Sequence, residues 1–336
     1  MKKISIGING LGRIGRLVLR SIAGHPMIDG IVVNDLSSIE DIVYLLNHDS
    51  SHSVLTKFEK EGQATIRTGT KTITVCSIPS ITQLPWMHHA IDIVIDCTGR
   101  ATTRDEAQKH IVSGAKKVIV SAPCDSSVPT LVYGVNHTSY DGSQGNIVSN
   151  ASCTTNCIAP IAKVLSQKYG INEALMTTVH SATASQTVVD VYNTRNRRLG
   201  RSVFNNIIPT TTGAAKAVAL CLPELEGKIT GTSLRVPCSN VSLVDLTVKL
   251  TKSVTFDTLC NTLKDASTGD MSGVLGYTEE AVVSQDFASS TYSSIFDKTA
   301  SLSLNDNFFK LIAWYDNESG YASRIVDMVE YISKYV

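Results

Sequence analysis

Ile4-Ser5-Ile6-Gly7-Ile8-Asn9-Gly10-Leu11-Gly12-Arg13-Ile14-Gly15, continued by Arg16-Leu17-Val18-Leu19-Arg20-Ser21-Ile22, decides the fold. A short β-like run leads into a glycine turn, and apolar residues at helical spacing follow. A strand, a G-x-G-x-x-G turn and a helix in that order form a dinucleotide-binding fingerprint. Gly10, Gly12 and Gly15 permit a tight turn and a close approach of backbone to pyrophosphate; Arg13 and Ile14 open the helix whose start holds the phosphate charge. The next strand-like run, residues 30–35, ends in Asp35, about twenty residues past the turn. A carboxylate there can bind both ribose hydroxyls and repel a 2′-phosphate, which favours NAD over NADP. The competing reading is a turn aspartate, or a cap for a helix starting where Ser37 and Glu40 fit a capping box.

Working outward, residues 72–75, 91–96 and 117–120 read as strands, with a helical stretch over residues 103–112. Alternating strands and helices predict a parallel sheet with ligand loops at the strand ends. Thr98, Gly99 and Ser121 occupy such ends and are expected to contact the cofactor. After residue 153 the pattern changes to long strand-like runs at residues 174–179, 229–236, 241–250 and 308–315. The expected fold is therefore α/β: a Rossmann-type parallel-sheet NAD-binding domain over residues 1–152, and an α+β catalytic domain with a mostly antiparallel sheet over residues 153–316. A C-terminal helix over residues 317–336 is expected to dock back on the first domain, with Ile325, Met328, Val329, Ile332 and Val336 on one face.

The chain has 336 residues, enough for two domains. Its 43% hydrophobic and 18% charged residues suit a globular enzyme and exclude a disordered chain. Thirty basic and thirty acidic residues cancel, so no global field draws it to nucleic acid or anionic lipid. Its eight cysteines lack regular spacing and read as reduced thiols, which points to the cytoplasm. No apolar leader or membrane-spanning run is visible. His89 has no cysteine or carboxylate at ligand spacing, so no metal is expected.

The chemistry centres on Ser149-Asn150-Ala151-Ser152-Cys153-Thr154-Thr155-Asn156-Cys157. Small polar residues precede an apolar stretch, which is how a helix start looks. A helix start favours thiolate over thiol, so Cys153 is expected to be an ionised nucleophile with His180 as its base. The alternatives are a buried structural cysteine and a histidine that merely satisfies a strand end. Cys157, one helical turn deeper, reads as packing.

Over nearly its whole length the sequence resembles the phosphorylating glyceraldehyde-3-phosphate dehydrogenases. The resemblance rests on residues 9–16, 151–157, Thr178-Val179-His180, residues 206–216, Leu234-Arg235-Val236-Pro237 and Trp314-Tyr315-Asp316-Asn317-Glu318. It implies a glycolytic homotetramer that oxidises glyceraldehyde 3-phosphate with NAD and inorganic phosphate to 1,3-bisphosphoglycerate. A hemithioacetal and a thioester would form on Cys153. It further implies that Asn317 orients the nicotinamide and that Thr183 and Arg235 hold the substrate phosphate. Thr154, Thr212, Gly213, Arg198 and the neighbouring Ser152 would serve the inorganic phosphate, with Arg201 a further arginine nearby. Arg195 and Arg197 read as a solvated face. Residues 186–204 would reach a subunit interface, and neither nucleic acid nor membrane is an expected partner.

Some positions depart from the family pattern. Val191-Tyr192 replaces a proline-containing pair and resembles the sister erythrose-4-phosphate dehydrogenases, which do not phosphorylate. Ala101 stands for an aromatic residue near the adenine, and Ile78-Pro79 for a charged pair. His52-Ser53 replaces the usual His-Gly. The alternatives to the main reading are therefore erythrose-4-phosphate oxidation and a non-enzymatic binding protein on the same scaffold.

Overall fold

The computed structural model describes residues 3–194 and 196–336; Arg195, expected on a solvated face, lies outside them. The chain divides into two compact units. The first runs to Tyr133 and resumes over His137–Ser152 and Ala322–Val336; the second comprises Gly134–Asn136 and Cys153–Tyr321.

The first unit is built on β1 (Ile4–Asn9), β2 (Ile28–Asn34), β3 (Glu59–Lys60), β4 (Thr65–Thr68), β5 (Lys71–Cys76), β6 (Ile93–Asp96), β7 (Lys117–Val120) and β8 (Ile147–Ser149). They form one eight-stranded sheet in the order β3-β4-β5-β2-β1-β6-β7-β8. From β5 to β8 every neighbouring pair is parallel. Strands β6 and β7 are buried at every position, as strands covered on both faces must be. The antiparallel β3–β4 extension is short and polar and has no sequence signal of its own. Helices α1 (Arg13–Ile22), α2 (Ile39–Asn47) and α3 (Arg104–Val112) complete the alternation. The cap of α2 is Ser38, whose hydroxyl accepts from the Asp41 N–H at 3.1 Å, rather than Ser37. Asp35 takes the Ser37 N–H at 2.9 Å, which moves the helix start on by one residue.

The carboxyl edge of this sheet is cross-linked from beneath. Asn34 Nδ2 donates to Asn9 Oδ1 at 2.8 Å, and Asn9 Nδ2 donates to Asp96 Oδ2 at 2.9 Å. His110 Nε2 bonds the same carboxylate at 3.0 Å, and Trp86 Nε1 donates to His110 Nδ1 at 3.0 Å. The ends of β1, β2 and β6 are thereby fixed relative to one another.

The second unit opens with helix α4 (Cys153–Tyr169) and strand β9 (Ile171–His180). Strand β10 (Ile208–Thr211), helix α5 (Ala214–Cys221), strands β11 (Ile229–Arg235) and β12 (Ser242–Leu250) and helix α6 (Phe256–Thr268) follow. Strands β13 (Leu275–Thr278), β14 (Ser294–Asn305) and β15 (Phe308–Tyr315) end it. The sheet order is β10-β11-β9-β12-β15-β14-β13. Only β11–β9 and β13–β14 run parallel, so the sheet is mixed and mostly antiparallel. Strand β12 alternates buried and half-buried residues, as a sheet with one face toward its helices requires.

Helix α7 (Ser319–Ile332) begins under Asp316, whose Oδ1 accepts the N–H groups of Glu318 and Ser319. Ile325, Met328, Val329 and Ile332 are buried along it. Val336, expected on that face, lies beyond the helix, after a 3₁₀ turn over Ser333–Tyr335, and is half-exposed. Within the first unit, Glu330 pairs with His25 at 2.8 Å and Tyr331 donates to the Tyr140 carbonyl at 3.0 Å.

Candidate active site

In the first unit the glycine turn forms a cradle. Gly10 has φ +93°, a conformation that L side chains rarely adopt. A Cβ on Gly15 would run into the Gly10 carbonyl oxygen, whereas one on Gly12 would meet nothing within 4 Å. The turn is thus closed at Gly15 and open at Gly12. Asp35 fixes it: Oδ2 accepts the Leu11 N–H at 2.7 Å and Oδ1 the Ser37 N–H. Burial opposes ionisation of Asp35, yet these N–H groups and Arg16 hold its carboxyl below the ordinary range. A cavity of about 610 Å³ adjoins, lined among others by Gly10, Gly12, Asp35, Thr98, Ile78 and Pro79. Glycine backbone, an ionised carboxylate and a cavity of this size fit a dinucleotide.

The other residues expected at this cofactor site flank the cavity differently. The Arg13 guanidinium is engaged with Asp49 at 2.9 Å, beside Arg20 at 2.8 Å, so Arg13 offers a ligand its backbone rather than its charge. Ile14 is half-buried in the first turn of α1. Gly99 has φ +68° in the loop after β6. The Ser121 N–H is bonded to the Asp96 carbonyl at 2.9 Å. Ala101 is fully buried in an apolar cluster against which Ile78 packs, and does not itself line the cavity.

In the second unit, α4 starts at Cys153, two residues after Ala151 at φ +55°, a strained position for a residue with a Cβ. Cys153 Sγ lies 3.6 Å from His180 Nε2. His180 is the last residue of β9, and the register with β11 sets it opposite Arg235. Arg235 Nη1 consequently stands 2.7 Å from His180 Nδ1 and 3.2 Å from the Ser181 carbonyl oxygen. The buried Tyr315 hydroxyl bonds both the Thr154 and Thr178 hydroxyls at 2.9 Å. Asn317 Oδ1 accepts from Ser181 Oγ at 2.9 Å and from Ser242 Oγ at 2.7 Å. With its oxygen doubly occupied, Asn317 has Nδ2 left as a donor.

The surroundings of the pair act on its two ionisable groups in opposing ways. Burial pushes the Cys153 thiol up from its ordinary value; the Arg235 charge and the hydrogen bonds from Thr154 pull it back without reversing the shift. Desolvation of the charged form opposes what the helix start offers this sulfur. Burial, and then the Arg235 charge, lower the His180 pKa to about 4, against a smaller opposite effect of the Ser181 carbonyl. Burial thus opposes charge on both members of the pair, and a thiol proton has His180 Nε2 within reach. Cys157 is fully buried, its thiol pushed well up by desolvation and bonded to Ser294 Oγ at 3.6 Å. It has neither exposure nor a base.

Two family models match the chain. Residues 4–104 match the NAD binding domain of glyceraldehyde 3-phosphate dehydrogenase, and residues 152–317 match its C-terminal domain. The chain is 51% identical over 332 residues to glyceraldehyde-3-phosphate dehydrogenase of Chlamydia pneumoniae, covering 98% of this chain and 99% of that one. The chain belongs to the glyceraldehyde-3-phosphate dehydrogenase family. Glyceraldehyde-3-phosphate dehydrogenase 1 of Trichormus variabilis is 49% identical, covering 98% of this chain and 96% of its own length. Glyceraldehyde-3-phosphate dehydrogenase of Claviceps purpurea is 48% identical, covering 98% of each chain.

The residues expected to bind anions stand in unequal states. Arg235 already touches His180. Thr154 is buried and pinned by Tyr315. Ser152, just before α4, is half-buried. Thr212 is half-buried, and its hydroxyl accepts the Ala214 N–H at 3.2 Å beside Gly213, the residue that precedes α5. Thr183 is exposed, with its hydroxyl on Gln186 Oε1 at 2.9 Å. Arg197 and Arg198 are exposed in a 3₁₀ turn. Arg201 is committed to Asp190 at 2.8 Å. Ser181, Ser242, Thr178 and Tyr315 had drawn no attention as site residues, since a serine or tyrosine in a strand carries no periodic signal. Only their pairing across β9, β12 and β15 reveals them. Among the described residues, no helix is long and apolar enough to cross a membrane.

Proposed function

We propose that the chain catalyses the oxidative phosphorylation of D-glyceraldehyde 3-phosphate to 1,3-bisphosphoglycerate with NAD. The observation that carries this reading is His180 held between Cys153 and Arg235 at the ends of α4, β9 and β11. Cys153 Sγ attacks the aldehyde carbon; the C–S bond forms while the thiol proton passes by way of His180 to the aldehyde oxygen. His180 then takes the hydroxyl proton of that hemithioacetal as hydride leaves the carbon, and a thioester remains. Bound NAD supplies the hydride acceptor. A phosphate oxygen attacks the thioester carbon, the C–S bond breaks and Cys153 regains its proton. The Cys153 backbone N–H and His180 hold the oxyanion at each addition.

Asn317 Nδ2 donates to the nicotinamide carboxamide, and the Ser181–Ser242 pair keeps it turned that way. Gly10, Gly12, Gly15 and the N–H groups of Arg13 and Ile14 hold the pyrophosphate. Asp35 holds the adenine ribose, and Thr98, Gly99 and Ser121 border the cofactor. Arg235 and Thr183 take the substrate phosphate. Ser152, Thr154, Thr212, Gly213 and Arg198 receive inorganic phosphate. Exposed Val188, Val189, Tyr192 and Phe204 support burial of residues 186–204 in a homotetramer. Eight cysteines with no disulfide among the described residues support a reducing, cytoplasmic setting.

Purified protein mixed with NAD, phosphate and glyceraldehyde 3-phosphate should raise the absorbance of reduced nicotinamide, at a rate that depends on phosphate. A phosphate-indifferent rate with erythrose 4-phosphate would replace this reading by the non-phosphorylating one. No reduced nicotinamide with either aldehyde would leave only a binding role.

A further inference from the structure

We propose that Trp86 and His110 are positioning residues for NAD: the pair fixes the direction of the hydrogen bonds on Asp96, and through them the polar groups that line the cofactor cavity. The proposal rests on reading that cavity as the cofactor site.

Trp86, His110 and Asp96 are wholly buried, and the first two stand behind the cavity wall rather than in it. An indole has one polar atom, and it can only donate. Trp86 Nε1 meets His110 Nδ1 at 3.0 Å, so that nitrogen accepts and the ring carries its proton on Nε2. A proton on Nδ1 would set two N–H groups against each other. Nε2 then donates to Asp96 Oδ2 at 3.0 Å. Asn9 Nδ2 donates to the same oxygen at 2.9 Å. The Thr98 N–H and hydroxyl donate to Oδ1 at 3.1 and 2.7 Å. Four donors meet this side chain, which suits a carboxylate and leaves no room for a carboxyl proton.

That polarity propagates. An amide that donates through Nδ2 presents its Oδ1 on the other side. Asn9 Oδ1 accordingly accepts from Asn34 Nδ2 at 2.8 Å. Asn34 Oδ1 in turn accepts the Ile78 N–H at 2.8 Å, and its Nδ2 also reaches the Ile78 carbonyl at 3.1 Å. Asn9, Asn34, Ile78 and Thr98 all line the cavity. The wall therefore has one hydrogen-bond sense, set by a ring that does not meet the ligand. Strand β1 leaves the indole its seat: a Cβ on Gly7 would stand 3.0 Å from the ring. Removing the imidazole takes a charge-assisted bond from a buried carboxylate. A proton taken up on Oδ2 in its place would face Asn9 Nδ2, turn that amide over, and leave the Asn34–Ile78 clamp mismatched.

Calorimetry of NAD and ADP-ribose on full-length variants tests this. His110→Leu removes both ring nitrogens, His110→Gln keeps one donor and one acceptor, and Trp86→Phe removes only the indole N–H. His110→Leu should weaken both ligands roughly tenfold. Its KM for NAD should rise to match, with kcat at saturating NAD within about twofold of the parent. His110→Gln should recover most of the affinity, and Trp86→Phe should show a smaller, severalfold loss. Unchanged affinity in His110→Leu overturns the proposal, even where its melting temperature falls. So does a His110→Gln variant as weak as His110→Leu. Should His110→Leu fail to fold, Trp86→Phe decides, and parental affinity there overturns the role. A parent chain that binds no NAD removes the cofactor reading instead.

Discussion

The carboxyl edge of the parallel sheet and the end of the mixed sheet build their sites by opposite means. The first is mostly backbone: one contiguous stretch, residues 4–15, makes the turn, and a single later carboxylate fixes it through N–H groups. The second is made of isolated side chains, Cys153, His180, Arg235, Ser242, Tyr315 and Asn317, brought together by strand register. A backbone site tolerates changes in its walls, such as Ile78-Pro79, but not in its glycines. A side-chain site is most sensitive at members without a substitute, such as Cys153 and His180, and least where two share a role, as Ser181 and Ser242 do on Asn317.

The contrast can be broken most forcefully at the sulfur. Cys153→Ala should lower turnover roughly a thousandfold or more, with NAD affinity by calorimetry unchanged. Lost NAD affinity would show that the two sites are not independent. His180 gives the next largest effect. Its pKa falls from an ordinary 6.5 to about 4 on folding, so between those values the unfolded chain binds the extra proton. This residue therefore adds no penalty above pH 6.5 and destabilises the fold progressively as pH falls toward 4, by about 3 kcal/mol at the limit. Urea midpoints across that range should flatten in His180→Asn.

In the first unit the glycines should divide. Gly15→Ala forces a methyl against the Gly10 carbonyl and should cost about 2 kcal/mol in thermal or urea unfolding. Gly12→Ala has open space, so it should unfold like the parent while binding NAD more weakly. Equal stability of the two variants would refute the closed-and-open description of the turn. The smallest effect is expected at Ser242→Ala. Loss of one hydrogen bond to Asn317 is worth about 1 kcal/mol and should appear as a severalfold drop in kcat with little change in the KM for phosphate.

How much of this could be read from the sequence follows the same division. The glycine cradle, Asp35 and the apolar strands β6 and β7 were legible because local chain chemistry specifies them. The start of α4 at Cys153 was legible for the same reason. The Ser37 cap was misread by one residue, since the competing bond from Asp35 depends on where the turn places its carboxylate. The upward push on the Cys153 thiol was not legible, because burial is a property of the packed unit that no flanking residue reports. The Ser181–Ser242–Asn317 cluster was invisible because hydroxyls far apart in sequence meet only through the β9–β12 pairing. Strand β14 was not read from the sequence: Ser294–Lys298 does not alternate, and the alternating Leu302 and Leu304 face outward.

The chain leaves the nucleotide-binding unit at Ser152 and returns to it at Ala322. During synthesis, its core must therefore wait for Ile325, Met328, Val329 and Ile332 until the whole intervening catalytic unit has emerged from the ribosome. A stop codon just after Asn317 would spare every reacting group and still leave the nascent cofactor-holding core without its closing helix.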